Sequence, residues 1–409
     1  MHNYKNSSIF QGAVTRSLVV LLLVCGLSHQ VAAVDLTFTA EFHPNASNPT
    51  NNRFVNTTPN SGYCQQWPNY CGDTAFGVAL PLGLTFENMD VNGSDRNSAY
   101  FKYPTSYKDV PVTNDMDGSH ANVQWRVNMM SMRINNWNQV VLDAGWAGWA
   151  TPYPCRLVAP PLSNGRWYEF IWGLPEDAGP CVKKVQGELS TPVLTSRLSI
   201  GYELVTPDPL SMKNGIYRGD LILTVGPGGD FDFGDCSTIS DSVVNLHFEL
   251  TVRHEFRVDF SPGSDRAVLA PEGGWNSWID HGSLPTRLSK DLPFSLSSSV
   301  PFSVTLQCQY SQPGGDCGLR NITEPTAPEV PVEIALTMPG FREIGSNVDA
   351  LNLKFSKEGT PVRFTSDAYA IDRASRLHFD VKGEHVKSIL DHEGNQYRGN
   401  VTLVFDAHP

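Results

Sequence analysis

The chain has 409 residues, with 30 Lys and Arg against 42 Asp and Glu, a formal net charge of −12. An acidic balance of this size argues against nucleic acid as a partner. The length suggests about two domains, each large enough to bury a core.

The first residues read as an address. Lys5 and Arg16 precede the apolar run Leu18 to Leu27, and "QVAA" offers small residues for cleavage after Ala33. Residues 1–33 are therefore expected to be a signal peptide, since the apolar run is about half of the ~20 residues that cross a bilayer. The mature chain from Val34 would be exported and soluble, with 28 basic and 42 acidic residues and a net charge of −14. Cys25 falls in the signal segment, and "LLVC" is a poor lipid-attachment box. Seven cysteines remain for an oxidising compartment, where disulfides form. The pairs expected from nearness in sequence are Cys64 with Cys71, Cys155 with Cys181, and Cys308 with Cys317. Connectivity does not follow from sequence. Cys236 is left over, either as a buried thiol or as a sign that one pairing is wrong. No cysteine spacing suits zinc.

Past the signal segment, helical periodicity is scarce and short alternating runs recur between Gly, Pro, Asn and Asp clusters. "VDLTFTAEF", "VQWRVNMM", "WYEFIW", "GDLILTV", "FSVTLQCQY", "VEIALTM", "LNLKF" and "VTLVF" predict an all-β protein, built as sandwiches or barrels. The most regular stretch is "VVNLHFELTVRHEFRVDF". Val244, Leu246, Phe248, Leu250, Val252, Phe256, Val258 and Phe260 share one parity, so one face should lie on a core and the other in water. His254 interrupts it and marks a bend or bulge. The turn-rich "SPGSD" follows at 261–265 and predicts the division between a domain of residues 34–260 and one of residues 261–409.

Two endings match. "NGIYRGDLILTVGPGG" (214–229) and "GNQYRGNVTLVFDAHP" (394–409) each run from a Gly-bearing turn through Tyr-Arg-Gly into a strand. Tyr217 and Tyr397 are placed to hydrogen-bond back across their turns, as a tyrosine corner does in immunoglobulin-like sandwiches. After the first copy comes the long alternating strand, which can complete a sheet. After the second, no strand is expected, so the second domain should lack its last strand and keep an apolar groove beside Val401, Leu403 and Phe405. Such an edge invites a strand from another chain.

On these motifs, together with "PVLTSRLSIGYEL" and "PFSVTLQCQY", the sequence resembles the two-domain tip adhesins of bacterial chaperone–usher fimbriae, of the colonization-factor type with two immunoglobulin-like domains. The resemblance implies a non-enzymatic protein exported through the periplasm to the fimbrial tip. Its first domain would bind a host receptor, usually a glycan. Its C-terminal pilin domain would be held by a periplasmic pilus chaperone, pass an outer-membrane usher, and then take a donor strand from the next fimbrial subunit. Val401, Leu403 and Phe405 match the strand that meets chaperone and donor, and Pro409 would present the carboxylate that the chaperone grips. Where some relatives carry a basic pair after the closing strand of the adhesin domain, this chain has "GPGGD" at 226–230.

A receptor site is sought among the aromatics, because seven of nine tryptophans lie in the first domain. Trp137, Trp146, Trp149 and Tyr153 share a short Gly-rich span read as a loop, with Arg166, Asn136, Asn138 and Asp143 as polar candidates; aromatic faces suit sugar rings. Core packing is the commoner fate of a tryptophan. "NDMDGSH" (114–120) lacks calcium-ligand spacing and reads as a polar turn. No HxH, HExxH, GxSxG or phosphate loop occurs, so no catalytic residue, metal or cofactor is assigned. The competing readings are a secreted β-sandwich glycoside hydrolase, whose carboxylate pair no motif would reveal, and a structural minor pilin without a receptor.

Overall fold

The computed structural model describes residues 33–407 except 46, 51, 72–75, 145–149, 188 and 356, with the side chains of 142–144 also left out. The signal segment up to residue 32, Trp146, Trp149 and Pro409 lie outside the described residues.

The protein is all-β with two separate cores. Alternation makes the first. The N-terminal strand Ala33–Phe42 runs parallel to the closing strand Val243–Val252, pairing Val34 with Val244, Phe38 with Phe248 and Phe42 with Val252. The corner strand Gly215–Thr224 covers the other edge of the closing strand along its whole length. The hairpin Lys108–Asn114 and His120–Ile134 carries the sheet onward to Val193–Val205 and Tyr168–Gly173. These seven strands are the long members of one thirteen-stranded sheet. Phe38 sits at the centre, with Trp125, Tyr202 and Phe248 at centroid distances of 5.6, 4.4 and 5.4 Å. In "DFDF" (230–233), Phe231 and Phe233 are fully buried. Between them and beside them, Asp232 takes Arg96 at 2.8 Å and Asp230 takes Lys108 at 3.0 Å, fixing the loop that follows the corner strand.

The second core lies between two sheets packed face to face. One is ordered Phe256–Phe260, Arg287–Ser298, Ala370–Lys382, Val330–Thr337, Cys317–Asn321 and Tyr397–Arg398; the other runs Arg342–Glu343, Val362–Thr365, Phe302–Cys308 and the terminal strand Val401–Ala407. Phe302, Phe341 and Phe364 fill the space between them.

Three expectations change. The run 243–260 is not one strand: pairing with the first sheet ends at Val252, and Phe256–Phe260 pairs with Arg287–Ser298 of the second. Pairing thus changes from the first sheet to the second across 253–255. Arg253 N–H still donates to Phe42 O in the first unit, whereas Glu255 N–H donates to Ser299 Oγ in the second. His254 sits between, its ring against Phe42 and its Nε2 2.7 Å from Met212 O. Second, Trp137–Ala144 is a helix rather than a loop, because "WNQVVL" has no glycine and places Trp137 and the fully buried Val140 at helical spacing. Third, "LNLKF" contributes only Leu353–Lys354 as strand, since Asn352 adopts a left-handed φ of 54°.

All three expected disulfides are present. Cys236 is a free thiol, half-buried rather than buried, donating to Asn88 O; burial pushes its pKa up. "NDMDGSH" is the hairpin turn, where Asp117 binds Lys213 and Ser119 N–H.

Candidate functional site

Among the described residues the strand Val401–Ala407 has one strand neighbour, Phe302–Cys308. Antiparallel pairing sets Phe405 opposite Val304, Leu403 opposite Leu306 and Val401 opposite Cys308, so these side chains point toward the same core. Val304 and Leu306 are at most 1% exposed, yet Val401, Leu403 and Phe405 are only half-buried. The strands differ in their edges. Phe302–Cys308 lies between two strands, whereas among the described residues nothing pairs with the outer edge of Val401–Ala407. In the first unit the closing strand is flanked on both sides, and Val244, Leu246, Phe248, Leu250 and Val252 are all buried to within 1%.

The opposite sheet is also open there. Phe256–Phe260 is its edge strand, and Phe260 is 44% exposed. Phe294 stacks on Phe260 at 5.1 Å and meets Phe405 edge-on at 5.9 Å. Phe294 thus joins rings from the two edge strands, and the open flank of Val401–Ala407 beside it is a slot. Seven residues of terminal strand give it a length of roughly 23 Å. Covering the exposed half of three such side chains is worth roughly 2–4 kcal/mol, before any backbone hydrogen bonds are counted.

Of the receptor candidates of the first unit, Trp137, Tyr153 and Arg166 are among the described residues. Trp137 stacks on Tyr168 at 4.4 Å and leans on the core, with its N–H donating to Arg166 O. Tyr153 is 93% exposed, and Arg166 is exposed. Beside them lies a cluster that the sequence reading passed over. Glu169, 1% exposed, pairs across the sheet with Arg133. Its Oε2 accepts from Arg133 Nη2 at 2.6 Å and Nε at 3.1 Å, and from Trp67 Nε1 at 3.3 Å. The Arg133 guanidinium lies 3.9 Å over the ring of Trp167. Glu169 Oε1 and the Tyr63 hydroxyl are buried without a partner among the described residues. Desolvation, with the charge of Glu169 behind it, pushes the Tyr63 pKa up to about 12. The loop carrying Tyr63, Trp67 and Tyr70 is stapled over this face by Cys64–Cys71. Three aromatic rings around a desolvated ion pair make a rigid face with planar donors. The available signal was "CQQWPNYC", two aromatics among the six residues between the disulfide-bonded cysteines.

Among the described residues no group of His, Cys, Asp and Glu is placed to hold a metal. The slot and the aromatic face are the two features of this all-β, two-unit protein that stand apart from its cores.

No family model matches the chain, and no curated protein does. Among solved structures it is similar to CfaE, the adhesive subunit of CFA/I fimbria of enterotoxigenic Escherichia coli, with 11% identity, a TM-score of 0.28, and coverage of 92% of this chain and 95% of that one. A chaperone–tip adhesin complex of CFA/I fimbriae biogenesis matches with 12% identity and a TM-score of 0.27 over 92% and 97% of the two chains. The CsuC–CsuE chaperone–tip complex of archaic Csu pili of Acinetobacter baumannii follows with 11% identity and a TM-score of 0.22 over 91% and 98%.

Proposed function

We propose that this chain is a fimbrial tip adhesin whose second unit accepts a strand from another protein: first a periplasmic chaperone, then the next subunit of the fibre. The observation that supports it is the contrast between two strands in direct register: Val304 and Leu306 are sealed, and their partners Phe405 and Leu403 are half-open on an unpaired edge beside Phe294. A strand laid along that edge would satisfy it and bury the alternating side chains, which is β-augmentation. The first unit, complete in itself, would then be free to capture a host-surface glycan, with the face around Trp67, Trp167, Arg133 and Glu169, and the neighbouring Tyr153 and Arg166, as contact surface.

The test adds a synthetic peptide of alternating large apolar residues to the full chain and follows thermal unfolding and amide exchange of residues 401–407. A rise in the unfolding temperature together with new protection in that strand supports the reading. Amides already protected without peptide, or no response to any apolar strand, would overturn it.

A further inference from the structure

The Tyr-Arg-Gly repeat carries a template for what the slot accepts. Tyr217, Arg218 and Gly219 correspond to Tyr397, Arg398 and Gly399, and the inward Leu221 and Leu223 to Val401 and Leu403. Both corners pair their tyrosine with a buried asparagine and press their glycine on a backbone oxygen of the neighbouring strand. Their far flanks differ. The closing strand of the first unit runs antiparallel along the first corner from Thr224 back to Gly215. Tyr397–Arg398 pairs with Cys317–Asn321 alone among the described residues. The open edge therefore begins at the corner, ahead of Val401.

Two residues of the closing strand answer features of the first corner. Phe248 lies directly opposite Gly219, 1% exposed and stacked on Phe38 at 5.4 Å. Its ring fills the room beside a residue that has no side chain. Glu249, the next residue, lies opposite Arg218 and binds it at 2.9 Å on the solvent side, with Asp115 on the same guanidinium at 2.8 Å. The second unit repeats the glycine and the arginine without either answer. Where Asp115 follows Asn114, Ile322 follows Asn321. Arg398 is exposed, donates to the neutral Gln396, and stands opposite Arg320, whose own carboxylate is Glu329. Among the described residues no carboxylate pairs with Arg398, and like charges across a strand pair are unfavourable.

We infer that the strand accepted by the second unit lies antiparallel along Tyr397–Phe405 and carries an aromatic residue facing Gly399, followed directly by an acidic residue facing Arg398. Successive residues of a strand take opposite faces, so the ring enters the core and the carboxylate stays in solvent. The ring supplies affinity. The acid sets register and direction, because an exposed ion pair is worth little on its own. The inference rests on strand acceptance by the slot and adds the partner's direction, register and composition.

The probe is a peptide of residues 243–252, VVNLHFELTV, added to isotope-labelled full chain. The expected result is saturable amide protection that continues from Val404 back to Tyr397. Phe248→Ala in the peptide should weaken binding roughly tenfold or more. Glu249→Lys in the peptide should weaken it as well, and Arg398→Glu in the chain should restore binding of that lysine peptide. The reversed sequence VTLEFHLNVV, identical in composition, should bind more weakly than the original. Protection that stops at Val401, or equal binding of the reversed or alanine peptide, would overturn the inference and leave strand acceptance standing. Changes confined to 215–224 would mean that the peptide only exchanges with the closing strand, which overturns it too. If no apolar strand protects any of 397–407, both readings fall.

Discussion

Phe405 meets Phe294 edge-on, with 5.9 Å between ring centroids, while its cross-strand partner Val304 is sealed from solvent. One side chain thus belongs to the core on one flank and to water on the other. The consequence is measurable by truncation. Leu306→Ala, in a fully buried position, should cost about 2–5 kcal/mol in denaturant unfolding. Leu403→Ala, directly opposite, should cost about half as much or less in the isolated chain. Its cost should rise toward that of Leu306→Ala once a strand peptide fills the slot.

How much of this was visible beforehand depends on what alternation encodes. Parity identified the inward faces correctly for Val244 through Val252 and for Val401, Leu403 and Phe405. It is blind to partners. Phe256, Val258 and Phe260 keep the parity of the preceding strand, yet pair with Arg287–Ser298 in the other unit; His254 marked the interruption, but parity did not show the change of partner. The Arg133–Glu169 pair was hidden for the same reason: two residues 36 apart become neighbours only once the register is fixed.

The repeated Tyr-Arg-Gly goes deeper than its three letters. Tyr217 lies opposite the buried Asn114, and Tyr397 lies opposite the buried Asn321. Both asparagines accept from backbone N–H groups of the turn after them. The copies differ at the hydroxyl: Tyr217 closes its corner on Lys213, whereas the Tyr397 hydroxyl is buried without a partner among the described residues.

The glycine of each copy is explained by close approach. A Cβ on Gly219 would stand 2.3 Å from Pro111 O, and one on Gly399 would stand 2.4 Å from Gly318 O. Neither backbone oxygen can swing aside as a side chain would. Gly219→Ala and Gly399→Ala should each destabilise by about 1–3 kcal/mol. Gly179→Ala, where nothing lies within 4 Å, is the control and should change unfolding by no more than about 0.5 kcal/mol.

The buried pair makes a sharper test. Arg133→Ala strips Glu169 of its cation at 1% exposure, and the loss should be about 3–5 kcal/mol. Replacing both, Arg133→Met with Glu169→Leu, should recover most of it, because an apolar pair of similar size needs no counter-charge. If the aromatic face captures a receptor through this pair, the double variant should fold well and bind poorly. Calorimetric unfolding and receptor capture on the same samples separate these effects.

The N-terminal strand is pinned by a titrating group. His247 Nδ1 lies 2.6 Å from Asp220 and its Nε2 lies 3.4 Å from Asp35, so the imidazole bridges the corner strand to the N-terminal one. The hydrogen bond to Asp220, ahead of that to Asp35, raises the His247 pKa above its ordinary value. A raised histidine stabilises the fold fully below its unfolded pKa of roughly 6.5, and the contribution fades as pH climbs through the higher folded value. Asp35 is shifted the other way, chiefly by its hydrogen bond from Asn245, and loses its share only under acid well below that window. With these groups largely in solvent the effect is small, so a difference measurement is needed. The unfolding temperature of the native chain should exceed that of His247→Gln by a margin that is constant between about pH 5 and 6 and shrinks above about pH 7. A margin that grows with pH would mean that the imidazole is held neutral between its two carboxylates.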